Sequence, residues 1–143
     1  MSTNVAHAVL SAEPISVDQA SAAVAHSTAG AVVGFSGVVR NHDGGKAVTR
    51  LAYSAHPSAE AVLAKVLAEV VAEAGDGVRI WAAHRVGDLE IGDTALACAV
   101  SAAHRGEAFR WCSELVDRIK AEVPIWKQQF FADGTQEWVG VGE

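Results

Sequence analysis

The period of the apolar positions changes several times along the chain, and each change marks an element. Residues 5–10, VAHAVL, read as a short first strand. Ser16 with Gln19 three residues on has the spacing of a capping box, and predicts a helix from about Val17 to His26, ending before Gly30. Residues 31–40, AVVGFSGVVR, are apolar almost throughout and read as a buried strand, in which Gly34 and Gly37 imply a bulge or a close backbone approach. NHDGGK, residues 41–46, is a turn signal, because Asp43-Gly44-Gly45 tolerates positive φ. A strand over 48–55 follows, and the two strands are expected to pair as a hairpin with a long polar tip carrying Arg40, His42, Lys46 and Arg50.

Between Ala59 and Ala74 the positions Ala59, Val62, Val66, Val70 and Ala74 recur at helical spacing, and Leu63, Leu67 and Val71 widen the stripe into a core-facing helix. Pro57 suits its start, and Gly75 and Gly77 stop it. Residues 78–84 are a strand, and 85–93 hold two Gly-Asp turns around a short apolar step. Residues 94–101 alternate Leu96, Cys98 and Val100 with alanines, so one face packs against something close. The helix after Ala103 lines up Phe109, Cys112, Val116 and Ile119, with Leu115 adjoining, until Pro124 ends it. IWKQQFF and QEWVGV then form a terminal hairpin around DGT. The order β-α-β-β-α-β-β-α-β-β predicts an α+β fold, with a mainly antiparallel sheet and helices packed on one side.

A chain of 143 residues fits one domain, 1–143. No apolar run reaches the roughly 18–20 residues of a membrane span, and the N-terminus lacks the pattern of a secretory signal, so a cytoplasmic protein is expected. The formal charge of -6 argues against bulk nucleic-acid binding. The distribution of charge says more: none of the 11 Lys and Arg precedes Arg40. Cys98 and Cys112 have no metal-binding or disulfide spacing and read as buried small hydrophobes. P-loop, Rossmann and nucleophile-elbow motifs are absent, so neither a metal nor a cofactor is expected.

The candidate chemistry is cationic. His104 and Arg105 follow a strand and open a helix, an arrangement that suits an anion. Lys120 lies in the last helical turn, where the helix dipole favours a cation by roughly 0.3–1 kcal/mol and is explanation enough by itself. Lys127 stands between Trp126 and Phe130 inside an apolar strand, where a partly desolvated amine can act as acid, base or nucleophile. Arg40 joins them if the strand ends meet. The residues alone therefore suggest a cationic pocket for a phosphorylated or carboxylated small molecule. A phosphate-binding regulatory domain is the alternative that needs no chemistry.

Five segments in order resemble the large, catalytic subunit of molybdopterin synthase: GFSGVVRNHDGG (34–45), the helix opening at Pro57, HRVGDLEIGD (84–93), SAAHRGEAF (101–109) and IKAEVPIWKQQ (119–129). The resemblance implies an α/β hammerhead-type fold and a homodimer. It also implies a small ubiquitin-like sulfur-carrier subunit with a C-terminal Gly-Gly on each protomer, giving a heterotetramer. The implied activity is conversion of cyclic pyranopterin monophosphate to molybdopterin by two sulfur transfers from the carrier's thiocarboxylate, which requires no cysteine in this chain. Lys120 and Lys127 match the catalytic lysines; Val38, Val39, Arg40, His104, Arg105, Gln128 and Gln129 match substrate-site positions. The chain departs from the family pattern at Ser54 and His56, at Gln129, where a carboxylate is common, and at Gly142, near where an arginine often follows. Lys46 and Arg50 are candidates to replace that arginine. A divergent paralogue that mainly binds the carrier is the alternative function.

Overall fold

The computed structural model describes residues 4–140. The elements run β1 (Val5–Ser11), α1 (Val17–Val24), β2 (Ala31–Val38), β3 (His42–Asp43), β4 (Lys46–Ala55), α2 (Ala59–Ala74), β5 (Arg79–Arg85), β6 (Gly87–Glu90), β7 (Thr94–Ala102), α3 (Arg105–Glu122), β8 (Ile125–Phe131) and β9 (Gln136–Val139). They form two sheets. The first has the order β1-β5-β7-β2 and is antiparallel except for the β1–β5 pair. The second has the order β3-β4-β8-β9, with β6 also paired to β4, and is antiparallel throughout. No helix among the described residues is long and apolar enough to cross a membrane.

The mixed α+β class with mainly antiparallel pairing is as expected, but the helices divide between two faces. Leu96, Cys98 and Val100 of β7, with Ile80 and Ala82 of β5, meet the apolar stripes of α2 and α3 in the largest core cluster. The opposite face carries Trp81, Ala83, Ala97 and Ala99 and packs on Ala20 and Val24 of α1. The alternation of bulky residues and alanines in β7 thus has a physical cause. Both faces are covered, and the small side chains lie where the short helix comes close. Buried Ser101 fixes that helix by donating its hydroxyl to the Val24 carbonyl at 2.7 Å. At the other end, Ser16 Oγ accepts from the backbone N–H of Gln19, which is the N-cap half of the expected capping box. The helix stops at Val24, short of the expected His26.

The expected hairpin between the second and third apolar stretches does not form. β2 pairs with β7, whereas β4 pairs with β8 and β6 in the other sheet. Strand β2 is apolar on both sides and belongs in a sheet covered by helices. Strand β4 buries Val48 and Leu51 while Thr49 and Arg50, where the ladder to β8 is irregular, are exposed, and it belongs in a sheet with one wet face. Only the tip survives as a hairpin: Asp43 pairs with Lys46 across Gly44 and Gly45, whose φ values of 57° and 80° make a two-residue turn of the type that needs positive φ at both positions. The ladder slips between Gly37 and Val38, where β2 ends. The chain is then clasped to the loop after β6, with Val39 N–H donating to Asp93 O at 2.9 Å and Gly92 N–H to Val39 O at 2.8 Å. This clasp joins the two sheets. Below it Val39, Val48, Leu51, Leu89, Ala95 and Phe131 form a third apolar cluster.

Gly34 meets the expectation of a close approach, since a Cβ there would lie 2.5 Å from a methyl of Val17 on α1. Gly34→Val should therefore push α1 off the sheet and lower the thermal midpoint by several degrees, with the cost of about 1–3 kcal/mol typical of overpacking. An unchanged midpoint would show that α1 does not seat as described.

Candidate active site

Side chains alternate along β8, so Lys127, Gln129 and Phe131 share one face, and Trp126, Gln128 and Phe130 share the other. Gln129 and Phe131 are buried, which makes the face of Lys127 the inward one. Across the ladder Lys127 pairs with Tyr53 and Gln129 with Leu51. A lysine is tolerated here because it stands near the strand's start, half-buried, beside the mouth where α3 ends. The chain passes from α3 to β8 through Pro124, whose carbonyl accepts from His56 N–H at 3.0 Å. This short link keeps Lys120, in the last turn of α3, near enough for its charge to act on Lys127. Arg40 arrives from the third direction, two residues after β2.

The charges of these groups act on one another. Burial pushes the Lys127 ammonium below the ordinary lysine range; the cations Lys120 and Arg40 push the same way, while Asp43 and Glu137 oppose them. The Asp43 carboxyl is held below its ordinary value, first by the Gln129 amide, which donates Nε2 to Oδ2 at 2.7 Å, and also by the Lys127 and Arg40 charges. Arg40 donates to the other oxygen of Asp43 at 3.0 Å. Neither Lys120 nor Lys127 forms an ion pair among the described residues. Two ammonium groups, one of them part-desolvated, therefore lie within electrostatic reach of a guanidinium that is tethered to Asp43. Such an arrangement can bind a phosphate and move protons.

Under the lysines lies His84. Its Nδ1–H donates to the Arg85 carbonyl at 2.7 Å, which leaves Nε2 with the lone pair, and its ring meets Tyr53 edge-on at 5.0 Å. Burial, with the Lys120 charge adding to it, pushes the imidazole down to about 4. Burial likewise raises the Tyr53 hydroxyl. The site floor is therefore neutral and the positive charge stays with the lysines and Arg40.

Other sequence-predicted residues stand elsewhere. Val38 is exposed, but Val39 is a core residue with both backbone polar groups engaged in the clasp. Gln128 lies on the outward face of β8 and donates to Gln136 Oε1 at 2.6 Å. His104 caps α3 without a side-chain bond to the helix, and exposed Arg105 opens it. At about 1.5 Å per residue, Arg105 is about 22 Å along the helix from Lys120, so one chain does not bring the pair to the lysines. Lys46 pairs with Asp133 at 3.4 Å, and Arg50 lies on Phe130 at 3.7 Å on the outward face. Neither faces Lys127, and Gly142 lies outside the described residues. No group of His, Cys, Asp or Glu that could hold a metal occurs among the described residues.

Residues 10–122 match the family model described as MoaE protein. The chain is 42% identical to molybdopterin synthase catalytic subunit 1 of Mycobacterium tuberculosis over 92% of its own length and 88% of the relative's. The chain belongs to the MoaE family. Among solved structures, molybdopterin synthase from Staphylococcus aureus superposes with a TM-score of 0.83 at 37% identity, covering 92% of this chain and 95% of that one. A complex of subunits 1 and 2 of molybdopterin-converting factor from Helicobacter pylori matches with a TM-score of 0.62 at 25% identity, covering 81% and 74%. The likeness to molybdopterin synthase from Staphylococcus aureus extends to the two-sheet architecture.

Asp43, Tyr53 and His84 were not singled out from the sequence. Asp43 had a sufficient explanation as a turn residue; the β4–β8 pairing sets Tyr53 opposite Lys127, and the ring contact with Tyr53 brings in His84 from β5 of the other sheet. The neutral His84 carries a measurable consequence. An unfolded imidazole binds its proton near pH 6.5 and the folded one only near 4, so the unfolded state holds the extra proton between these values. Stability should fall as pH drops through that window, by on the order of 3 kcal/mol in all. Denaturant titrations from pH 7 to 4 should show this loss, and His84→Gln should remove most of it.

Proposed function

We propose that this chain converts cyclic pyranopterin monophosphate to molybdopterin, taking sulfur from the C-terminal thiocarboxylate of a small ubiquitin-like carrier. The observation that carries the proposal is that half-buried Lys127 lies within electrostatic reach of Lys120 and Arg40, beside the neutral His84, with neither lysine in an ion pair among the described residues. Arg40 and the lysines bind the substrate phosphate. Each carrier thiocarboxylate forms a carbon–sulfur bond to a carbon of the pterin side chain as that carbon loses its bond to oxygen. The oxygen leaves as an oxygen of the opened cyclic phosphate or as water. A second water then cleaves the acyl–sulfur bond and releases the carrier as a carboxylate, so each round exchanges one oxygen for one sulfur without redox change. Lys127, with its lowered pKa, and Lys120 move the protons these steps require. The two-subunit complex among the structural neighbours supports a separate small subunit as partner. No observation favours the alternative of a binding module without chemistry.

The assembly we propose is a homodimer carrying two small subunits, a heterotetramer. Strand β2 is the edge of the first sheet, and beside it Val33, Phe35, Phe109, Cys112 and Val116 line an apolar groove of about 350 Å³. Phe109 is 62% exposed and Val38 51%, large apolar surfaces left on one edge of a lone chain. Antiparallel pairing of two β2 strands about a two-fold axis covers this edge and exchanges the strand ends. Ala31 pairs with Ala102, so His104 and Arg105 follow close to the Ala31 end. The exchange therefore brings the partner's His104 and the partner's Arg105 toward Val38 and Arg40, adding two phosphate-binding groups that one chain lacks.

With purified chain, thiocarboxylated carrier and precursor, Lys127→Ala should lower dithiolene formation by about a hundredfold or more. Product formed at the wild-type rate would remove Lys127 from the mechanism. Homodimers of Lys127→Ala and of Arg105→Ala should both be impaired, and mixing them should restore about a quarter of wild-type activity through heterodimers with one intact site. No recovery on mixing would place both residues of a site in the same chain.

A further inference from the structure

The family resemblance leads one to expect a carboxylate at position 129, yet this chain has Gln129 there. A carboxylate stands against it from another strand. Buried Gln129 turns its amide Nε2 to Asp43 Oδ2 at 2.7 Å, and Asp43 Oδ1 accepts from Arg40 at 3.0 Å. The turn does not require this aim, because Gly44 and Gly45 supply its positive φ angles and the Asp43–Lys46 backbone pairing closes it. We propose that Asp43 is the carboxylate of the active site, a positioning residue on the β3–β4 hairpin that orients Arg40 and Lys127 in place of an acid at position 129.

The chemistry of the pair explains the exchange. One acid and one amide at hydrogen-bond distance make a satisfied couple, whichever strand carries which. Two acids there would repel, and two amides would leave Arg40 without its paired carboxylate and Lys127 with Glu137 as its remaining counter-charge. The charged groups facing Lys127 are Asp43 from β3, Arg40 from the segment after β2, Lys120 from α3 and Glu137 from β9. Asp43 also fixes one edge of the Arg40 guanidinium and leaves its remaining donors for an anion.

This inference rests on the proposed function, and its test keeps the two apart. Four forms are compared: wild type, Asp43→Asn, Gln129→Glu, and the double variant Asp43→Asn/Gln129→Glu, which moves the carboxylate back to β8. Turnover is measured with precursor and thiocarboxylated carrier, and the Lys127 ammonium is titrated by NMR in the chain alone. Asp43→Asn should lose about tenfold to a hundredfold in kcat, with Lys127 titrating at lower pH and the thermal midpoint nearly unchanged. The double variant should regain most of both properties. Wild-type kcat and titration in Asp43→Asn, or a double variant no better than Asp43→Asn, would overturn the assignment. A wild-type chain that makes no product would instead sink the proposed function, and the NMR titration would still decide whether Asp43 and Lys127 are coupled.

Discussion

An ammonium group on the inward face of a sheet is the constraint on which the second half of this fold depends. Full burial of an unpaired lysine costs several kcal/mol or drives off its proton. Lys127 avoids both extremes by standing near the start of β8, half-buried, where α3 ends and the sheet opens. From that position follow the neutral floor of His84 and Tyr53, which adds no positive charge, and the approach of Asp43, which offsets the cations from the hairpin. The clasp between Val39 and the loop at Gly92 and Asp93 holds Arg40 at the same opening. The first sheet is a rigid support for this arrangement. It is buried on both faces along β7, and its helices are locked together by Arg118, which bonds Glu73 on α2 and Glu114 on its own helix.

Much of this was legible from local pattern, and the misreadings share a cause. Helix α2 has the bounds its apolar stripe predicted, because helical periodicity is set within a few turns. In α3 the stripe was centred one residue too far along at its start: Ala108 and Trp111 are buried and Phe109 is not. Strands β3 and β6 are two and four residues long and exist because β4 offers them an edge, which no local window reveals. Pairing β2 with β4 was the economical guess for neighbouring apolar stretches, and it failed because the two strands need different sheets.

The site follows the same rule. Lys127 stood out because a lysine inside an apolar strand contradicts its surroundings. Asp43 did not, because a turn already explained it. His104 and Arg105 were grouped with the lysines in one cationic pocket, but α3 runs from Arg105 to Glu122 and separates them from the lysines within one chain. Proximity in sequence therefore misled where an element is long, and small exceptions to pattern informed where it is short.

The two thiols bear on the chemistry in a different way. Cys98 and Cys112 are free and buried, and burial raises both thiols above their ordinary value, Cys98 the more strongly. In the proposed reaction a thiolate near Lys127 would compete with the pterin for the carrier's acyl group, capturing the carrier as a thioester and releasing its sulfur as sulfide. Kept protonated between the first sheet and α3, with Cys98 fully buried and Cys112 turned to the apolar groove beside β2, these side chains would be spectators in the proposed sulfur transfer. The packing that makes them good core residues also makes the protein a chemically quiet vessel for that reagent.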